Sequence, residues 1–196
     1  MIISVASGKG GTGKTTIAVN LALSLKNIKF LDCDVEEPNA HLFLNPDITT
    51  KTEVKVTIPQ INKEKCNYCG DCSKICTYRA LGVFKKTILF FNELCHNCLG
   101  CYFVCKQKAI EKGEKSIGLI EKGYYKNIYN QKAEFLHGKL NIGEVQAVPL
   151  IKAVKNSITD NDNGVIIDSP PGTSCPVIES VKGSVLIVNK YIDKSV

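Results

Sequence analysis

The stretch SGKGGTGKTT, Ser7–Thr16, decides how the fold begins. It contains the pattern G-x4-G-K-T, with Gly8, Gly13, Lys14 and Thr15 at the fixed positions, which is the pattern of a phosphate-binding loop. Glycines let successive backbone amides converge on phosphate oxygens, because no Cβ stands in the way. An apolar stretch, MIISVA, precedes the loop and a helical apolar stripe follows it. The pattern therefore lies between a predicted strand and a predicted helix, which is the position that a phosphate-binding loop requires.

The same stretch supplies most of a predicted site for ATP and Mg²⁺. Lys14 is expected to reach the β- and γ-phosphates, and the Thr15 hydroxyl to coordinate Mg²⁺. The following helix adds the positive potential of its N-terminus. The expected contacts from this loop are Gly8, Gly10, Gly11, Thr12, Gly13, Lys14, Thr15 and Thr16.

Acidic residues end two further predicted strands, Ile28–Asp34 and Gly164–Asp168. Because the carboxyl ends of parallel strands meet at one edge of a sheet, these acids are expected beside the phosphate loop. Asp168 is expected to act on Mg²⁺ through water, and Asp34 to orient or activate the attacking water. Asp32 competes for the second role, and capping a helix is the alternative for both Asp34 and Asp168.

The alternation of strands and helices predicts an α/β fold with a doubly wound parallel sheet. Residues 15–26 and 145–158 read as helices, and residues 184–190 as a fourth strand. We assign residues 1–54 and 118–196 to this sheet, and residues 55–117 to an inserted domain.

Eight of the ten cysteines lie in the insert, in two runs of the form C-x2-C-x2-C-x3-C that are 29 residues apart. The chain shows neither a secretory signal nor an apolar run of about 18 residues, so a cytoplasmic protein without a membrane span is expected. Cysteines in a reducing compartment favour metal ligation over disulfides. A zinc site, the alternative, typically uses pairs of C-x2-C separated by a longer gap.

Three segments together resemble the MinD/Mrp/nitrogenase-iron-protein class of P-loop ATPases, the deviant Walker A (SIMIBI) group: residues 9–16, 31–39 and 168–176. The resemblance implies that Lys9 reaches the nucleotide of a partner subunit across a two-fold interface, and hence an ATP-dependent homodimer. Lys9, Lys14 and Asp34 would then be the catalytic residues. Proteins of this class usually continue through further strands and helices, so we expect the C-terminal ATPase part to be incomplete.

The class also implies nucleotide contacts beyond the loop. Gly172 is expected at the ATP site, and Asn189 is either the adenine contact or the end of an earlier strand.

The two cysteine runs resemble those of two-cluster bacterial ferredoxins. The resemblance implies a small α+β domain with two 4Fe–4S clusters, in which each run supplies three ligands to one cluster and the fourth to the other. The implied ligand sets are Cys66, Cys69, Cys72 and Cys105, and Cys95, Cys98, Cys101 and Cys76. Thr77 and Lys106 stand where such runs normally have proline, and His96 is surplus to the ligands.

The combined motifs predict an ATPase in which a nucleotide-dependent dimer gates electron transfer through two 4Fe–4S clusters. A full set of four thiolates per cluster favours this reading. The alternatives are an Mrp-like cluster carrier or scaffold, and a non-catalytic redox-sensing switch that uses ATP to dimerise. A redox protein is the expected partner. Nucleic acid is not expected as a partner, because the two clusters would offset about four of the six net positive charges of the chain.

Two cysteines remain outside the runs. Cys33 is expected to be a small buried hydrophobe within a strand. Cys175 is either an inert packed thiol or a reactive thiol or extra cluster ligand at the dimer interface.

Overall fold

The computed structural model describes residues 1–188, so Asn189 lies outside the described residues. The chain divides into two compact units. The nucleotide unit comprises residues 1–54, 118–142 and 147 onward, and the cysteine unit comprises residues 55–117 and 143–146. The segment 143–146, which the sequence assigned to the ATPase part, thus belongs to the cysteine unit.

Strands and helices alternate along much of the described chain. The strands are β1 Ile2–Ala6, β2 Ile28–Asp32, β3 Asp47–Ile61, β4 Leu81–Phe84, β5 Thr87–Phe90, β6 Ile110–Lys126, β7 Lys132–Leu140, β8 Gly164–Asp168 and β9 Val185–Val188. The α-helices are α1 Lys14–Ser24, α2 His41–Leu44, α3 Asp71–Ile75, α4 Gly100–Val104, α5 Ala147–Lys155 and α6 Cys175–Val181, with a 3₁₀ turn at Asn92–Leu94.

Seven strands form one sheet in the order β3-β6-β7-β2-β8-β1-β9. Strands β7, β2, β8, β1 and β9 pair in parallel, whereas β6 and β7 form an antiparallel pair. The prediction of a mostly parallel α/β sheet is therefore confirmed, and the four strands that carried it lie side by side. The sequence placed residues 118–142 in this part of the chain, but it did not indicate that β7, β6 and β3 continue the sheet beyond β2 in this order.

The centre of the sheet is buried on both faces. Every residue of β8 is buried, as a parallel strand covered by helices requires. Phe30 of β2 and Phe135 of β7 stack with their ring centroids 5.9 Å apart. Ala18 and Ala22 of α1 are fully buried in the same core, because small side chains let the helix approach the sheet closely.

Lys155 of α5 connects this helix to α6. The Lys155 ammonium donates hydrogen bonds to the carbonyls of Glu179, Ser180 and Lys182, at 2.6, 2.9 and 2.8 Å. These carbonyls lie at the C-terminal end of α6, where the helix leaves acceptors unsatisfied and the dipole favours a cation. The contact holds together two helices that pack against the sheet at β7 and β1. Among residues 1–188, no helix is long and apolar enough to cross a bilayer.

The 29-residue repeat of the cysteine unit is also a repeat of its backbone. Helix α4 follows α3 at that offset, and three left-handed backbone positions recur with it. The paired residues and their φ values are Tyr68 (58°) and Asn97 (57°), Gly70 (83°) and Leu99 (56°), and Arg79 (53°) and Lys108 (49°). Sharp turns at matching places bring the cysteines of each run together.

Gly70 provides a test of these turns. A Cβ at Gly70 or at Gly82 would meet no atom within 4 Å, but only Gly70 has a left-handed φ. We expect Gly70→Ala to lower the free energy of unfolding by about 1 kcal/mol, the cost of a left-handed conformation for an L-residue. Gly82→Ala should leave it nearly unchanged. Denaturant unfolding of the anaerobically prepared protein measures both, and equal effects would show that the backbone conformation is not the cause.

Candidate functional sites

The phosphate loop, residues 7–13, connects β1 to α1. Gly11 (φ 72°) and Gly13 (φ 87°) have left-handed conformations, which side chains with a Cβ rarely adopt. Gly13 is also the N-cap of α1, and it supplies no side chain to cap the helix. The first amides of α1 are therefore available to an anion, and the helix dipole favours one there.

Open space lies in front of this loop. A Cβ placed at Gly8, Gly10 or Gly11 would meet no atom within 4 Å, so the loop could receive a phosphate group. The Ser7 hydroxyl donates to the Lys9 carbonyl at 2.6 Å, and the Thr12 hydroxyl donates to the Ser7 hydroxyl at 2.8 Å. These bonds hold the loop in its curved form without occupying the space that faces the nucleotide.

The side chains of the loop differ in exposure. Lys14, the first residue of α1, is 7% exposed. Lys9 is exposed, which is compatible with its expected reach to a partner subunit. Thr15 is half-buried and Thr16 is exposed.

Asp168 ends β8 directly beside the loop. Its carboxyl is buried, and neither oxygen has a hydrogen-bond partner among residues 1–188. Burial raises the pKa of Asp168 to about 6 and the Asp34 charge adds to this rise, against the lowering effects of the Thr15 hydroxyl and Lys14. Thr15 thus lies close enough to influence the carboxyl without forming a well-aligned hydrogen bond. An unpaired buried carboxylate beside a threonine hydroxyl is suited to a hydrated Mg²⁺ ion.

The two acids at the end of β2 have different surroundings. Asp32 is fully buried and accepts hydrogen bonds from the amides of Asp34 and Ala40, both at 3.1 Å. Asp32 therefore holds the loop after β2 in place and is poorly placed to activate water. Asp34 is half-buried and lies two residues beyond β2 instead of at its end. Burial raises the pKa of Asp34 to about 6, and the Lys14 charge lowers it.

The loop after β8 also reaches the phosphate loop. The Gly172 amide donates to the Ser7 carbonyl at 3.1 Å, and Gly172 has a φ of 100°, a conformation that favours glycine. The Ser169 amide donates to the Val5 carbonyl at 3.0 Å. Lys14, Asp34, Asp168 and Gly172, far apart in sequence, therefore surround one site.

Two cavities in the cysteine unit are each lined by four thiols. Cavity I has about 360 Å³ of empty space and cavity II about 370 Å³. Cavity I is lined by Cys66, Cys69, Cys72 and Cys105, and cavity II by Cys76, Cys95, Cys98 and Cys101. These are the two groupings that the ferredoxin resemblance implies, and each draws its fourth thiol from the other run.

The thiols surround a space and do not meet at a point. Among residues 1–188, no three His, Cys, Asp or Glu side chains are close enough to share a single metal ion. Burial raises the pKa values of Cys72 and Cys95, and that of Cys101 to about 11, and neighbouring cysteines raise them further. Ligation by iron would therefore have to displace protons from these thiols. A cubane cluster, which takes one thiolate at each of four irons, fits this arrangement.

Backbone amides already point at three of the sulfur atoms. The Ala80 and Ala109 amides donate to Cys76 Sγ and Cys105 Sγ, both at 3.3 Å, and Tyr68 donates to Cys66 Sγ at 3.4 Å. Such bonds stabilise a ligating thiolate and influence the reduction potential of a cluster.

The turns after the fourth cysteines form without proline. The Arg79 amide donates to the Cys76 carbonyl and the Lys108 amide to the Cys105 carbonyl, both at 3.0 Å. Thr77 and Lys106 occupy the second position of these turns, where proline is favoured but not required.

The segment Gly143–Gln146 fixes the second cysteine run, which the sequence did not indicate. The Gln146 side-chain amide donates to the Cys95 carbonyl and accepts from Asn97 Nδ2 at 2.6 Å. Glu144, with a side chain only 3% exposed, pairs with Lys115 at 2.7 Å. These polar residues precede α5 and show no periodic pattern, so only the fold reveals their role.

The remaining candidates have simpler surroundings. Cys33 is fully buried as expected, although it lies one residue beyond β2 and not within it. Cys175 is exposed at the start of α6, so the alternative of a packed thiol is wrong. His96 is exposed and stacks on Tyr78 with ring centroids 3.7 Å apart.

Comparison with known proteins identifies a family. The sequence profile of the CobQ/CobB/MinD/ParA nucleotide binding domain matches residues 3–168. Two uncharacterized proteins of Methanocaldococcus jannaschii are 34% and 32% identical over 93% and 97% of this chain. The chain spans 64% and 69% of their lengths. An iron-sulfur cluster carrier protein of Synechocystis sp. is 47% identical over 47 residues, which are 22% of this chain and 13% of that protein.

Asp168→Asn tests the electrostatic cost of the nucleotide site. Because burial raises the folded-state pKa from 3.8 to about 6, ionisation of Asp168 destabilises the folded protein at pH values above both pKa values. At pH 7.5, without Mg²⁺ or nucleotide, the variant should gain up to about 3 kcal/mol in unfolding free energy. The gain should fall to about half at pH 5 and vanish near pH 3.

Denaturant titrations of wild type and Asp168→Asn across this pH range measure the difference in the free energy of unfolding. Asp160→Asn, at an exposed position, is the control. A gain that does not depend on pH would refute the electrostatic explanation.

Proposed function

The chain belongs to the CobQ/CobB/MinD/ParA nucleotide-binding family, of the MinD/Mrp type associated with iron–sulfur proteins, and we propose that it is an ATPase whose nucleotide cycle acts on iron–sulfur clusters held in its own insert. The observation that carries this proposal is the pair of four-thiol cavities in a chain that also carries a complete phosphate loop. The phosphate loop alone would indicate only nucleotide binding, and the four-thiol cavities alone would indicate only iron–sulfur clusters.

The nucleotide chemistry follows from the groups around the loop. Loop amides and Lys14 would bind the phosphates, and Thr15 and Asp168 would hold Mg²⁺, Asp168 through water. Asp34 would orient the attacking water, because it is ionisable near pH 6 and lies close to Lys14. Exposed Lys9 would neutralise charge on the nucleotide of a second subunit, as a residue supplied in trans does in related phosphoryl transfers.

The proposal allows two functions for the clusters, electron transfer and cluster delivery. A different observation favours each function. The complete sets of four thiols, with amides bonded to three sulfurs, favour two resident 4Fe–4S clusters that transfer electrons when the dimer closes. The comparisons favour the second use, a cluster carrier, because a relative bears that name. Both uses place the protein in a reducing compartment such as the cytoplasm.

Anaerobic reconstitution distinguishes the two uses. We expect about eight irons per chain, four for each cavity, and 4Fe–4S signals in the EPR spectrum after reduction by dithionite. An electron-transfer protein should keep its clusters when mixed with apo-aconitase, and MgATP should change its EPR signals. ATP-dependent activation of the apo-aconitase would establish the carrier instead. A protein that takes up no iron would refute both.

The variant Lys9→Ala tests the proposal that Lys9 acts on the nucleotide of a second subunit. We expect ATP binding to persist, because Lys14 and the loop amides remain, whereas hydrolysis should fall by about 100-fold or more. ATP-dependent dimerisation, followed by light scattering, should also be lost. Lys26→Ala, which removes an exposed lysine just after α1, should change neither property. Turnover that survives Lys9→Ala would rule out action in trans.

A further inference from the structure

We propose that an acidic electron-carrier protein docks in an aromatic, basic groove beside Cys105 and exchanges electrons with the cluster that cavity I would hold. This inference rests on the proposed function, since it needs clusters in the insert. It goes beyond the proposed function in two respects. It names the surface at which electrons pass between this chain and a partner, and it names the sign of the partner's charge.

The groove and cavity I share a wall. Cys105 lines both cavity I and a groove in the same unit that has about 850 Å³ of empty space. Lys65, Tyr102, Phe103 and Lys108 also line this groove. Cys105 is half-buried, so a protein seated in the groove would contact a residue whose sulfur is a ligand in the implied set. No other protein layer would separate the two at that point.

Large apolar side chains make this groove a docking surface. Phe103 is 77% exposed and Tyr102 is 37% exposed, on the same short helix α4. Their rings pack edge to face with centroids 5.3 Å apart. Lys112 Nζ lies 5.3 Å from the centre of the Tyr102 ring. Aromatic residues are enriched at protein interfaces, and exposed apolar patches mark interaction sites.

The charge of the surface indicates an acidic partner. The cysteine unit contains eleven lysine and arginine residues against six aspartate and glutamate residues, so it carries +5 of the +6 net charge of the chain. At the groove, Lys65 pairs with Glu111 at 3.1 Å, and Lys108 and neighbouring Lys106 are exposed. Two clusters would offset about four of these charges, but that negative charge would lie in the cavities and the lysines at the surface. Complementary charge speeds the encounter with an acidic protein.

The internal repeat offers a comparison within the same unit. The residues 29 positions before Tyr102, Phe103, Lys106 and Lys108 are Ser73, Lys74, Thr77 and Arg79. The position equivalent to exposed Phe103 is thus a lysine, and the aromatic pair has no equivalent in the first run. In the second run, Gln146 bonds to the Cys95 carbonyl beside cavity II. The backbone is therefore repeated while the exposed Tyr102–Phe103 pair is not, and we expect electrons to enter or leave at cavity I.

The transfer involves one electron and no change in covalent bonds. The reduced carrier would lose one electron, and an oxidised 4Fe–4S cluster held by the thiols of cavity I would gain it.

The experiment uses the full chain, reconstituted anaerobically, and a photochemically reduced plant-type 2Fe–2S ferredoxin as the acidic probe. Binding of the oxidised ferredoxin is measured by calorimetry, and cluster reduction by stopped-flow absorbance. We expect Lys108→Glu to weaken binding and slow reduction about tenfold at low ionic strength. Arg79→Glu, at the equivalent position of the first run, should change either quantity less than about twofold. Added salt should reduce the wild-type rate.

The controls separate this proposal from the function on which it rests. Reduced methyl viologen, a small cation that needs no docking site, should reduce wild type and Lys108→Glu at similar rates. If neither methyl viologen nor dithionite reduces the protein, the proposed function has failed. If both reduce it and Lys108→Glu binds ferredoxin like wild type, or Arg79→Glu has the same effect, the docking groove is refuted. Loss of self-association with Lys108→Glu and no change in ferredoxin binding would assign the groove to a second copy of this chain.

Discussion

The parallel pairing of β1, β8 and β2 is the constraint on which the nucleotide site depends. In this register Asp168 lies beside Val5 on one side and beside Asp32 on the other. The phosphate loop, Asp168 and the loop that carries Asp34 therefore leave the sheet at the same edge. A shift of one residue would turn Asp168 towards the opposite face, because strand side chains alternate. The full burial of β8 and the bond from Gly172 to Ser7 oppose such a shift.

The cysteine unit depends on a different kind of constraint, which is the exchange of ligands between repeats. Each cavity takes three thiols from one run and the fourth from the other, so neither run can complete a site alone. This arrangement explains why both runs share the same left-handed positions and the same amide-to-sulfur bonds. It also makes the differences between the repeats informative. Phe103 and Gln146 break the symmetry, and neither is needed to hold a cluster.

Local patterns predicted the parts of both sites that are contiguous in sequence. The phosphate loop and the cysteine spacings are short motifs in which each residue type has a direct physical role. The extension of the sheet by β7, β6 and β3 depends on long-range pairing, for which alternation within a segment gives no signal. The different roles of Asp32 and Asp34 depend on which carboxylate the Ala40 amide reaches. Likewise, Glu144 and Gln146 could be linked to the second run only once the chain had folded back on it.

Both proposed metal sites place carboxyls or thiols, which would bind a metal as anions, in poorly solvated surroundings. At the nucleotide site, burial raises the pKa values of Asp168 and Asp34 to about 6. In the insert, burial raises the pKa values of Cys72, Cys95 and Cys101. Ionising these carboxyls or thiols costs free energy when no metal is bound, because the charged form is poorly solvated. A bound cation favours the charged form and so offsets that cost. Mg²⁺ at one site and iron at the other should therefore stabilise the fold as they bind, because any ligand that prefers the folded state does so. At the proposed sites, metal occupancy and stability would thus be linked twice in one chain, because each metal would favour ionisation of buried carboxyls or thiols.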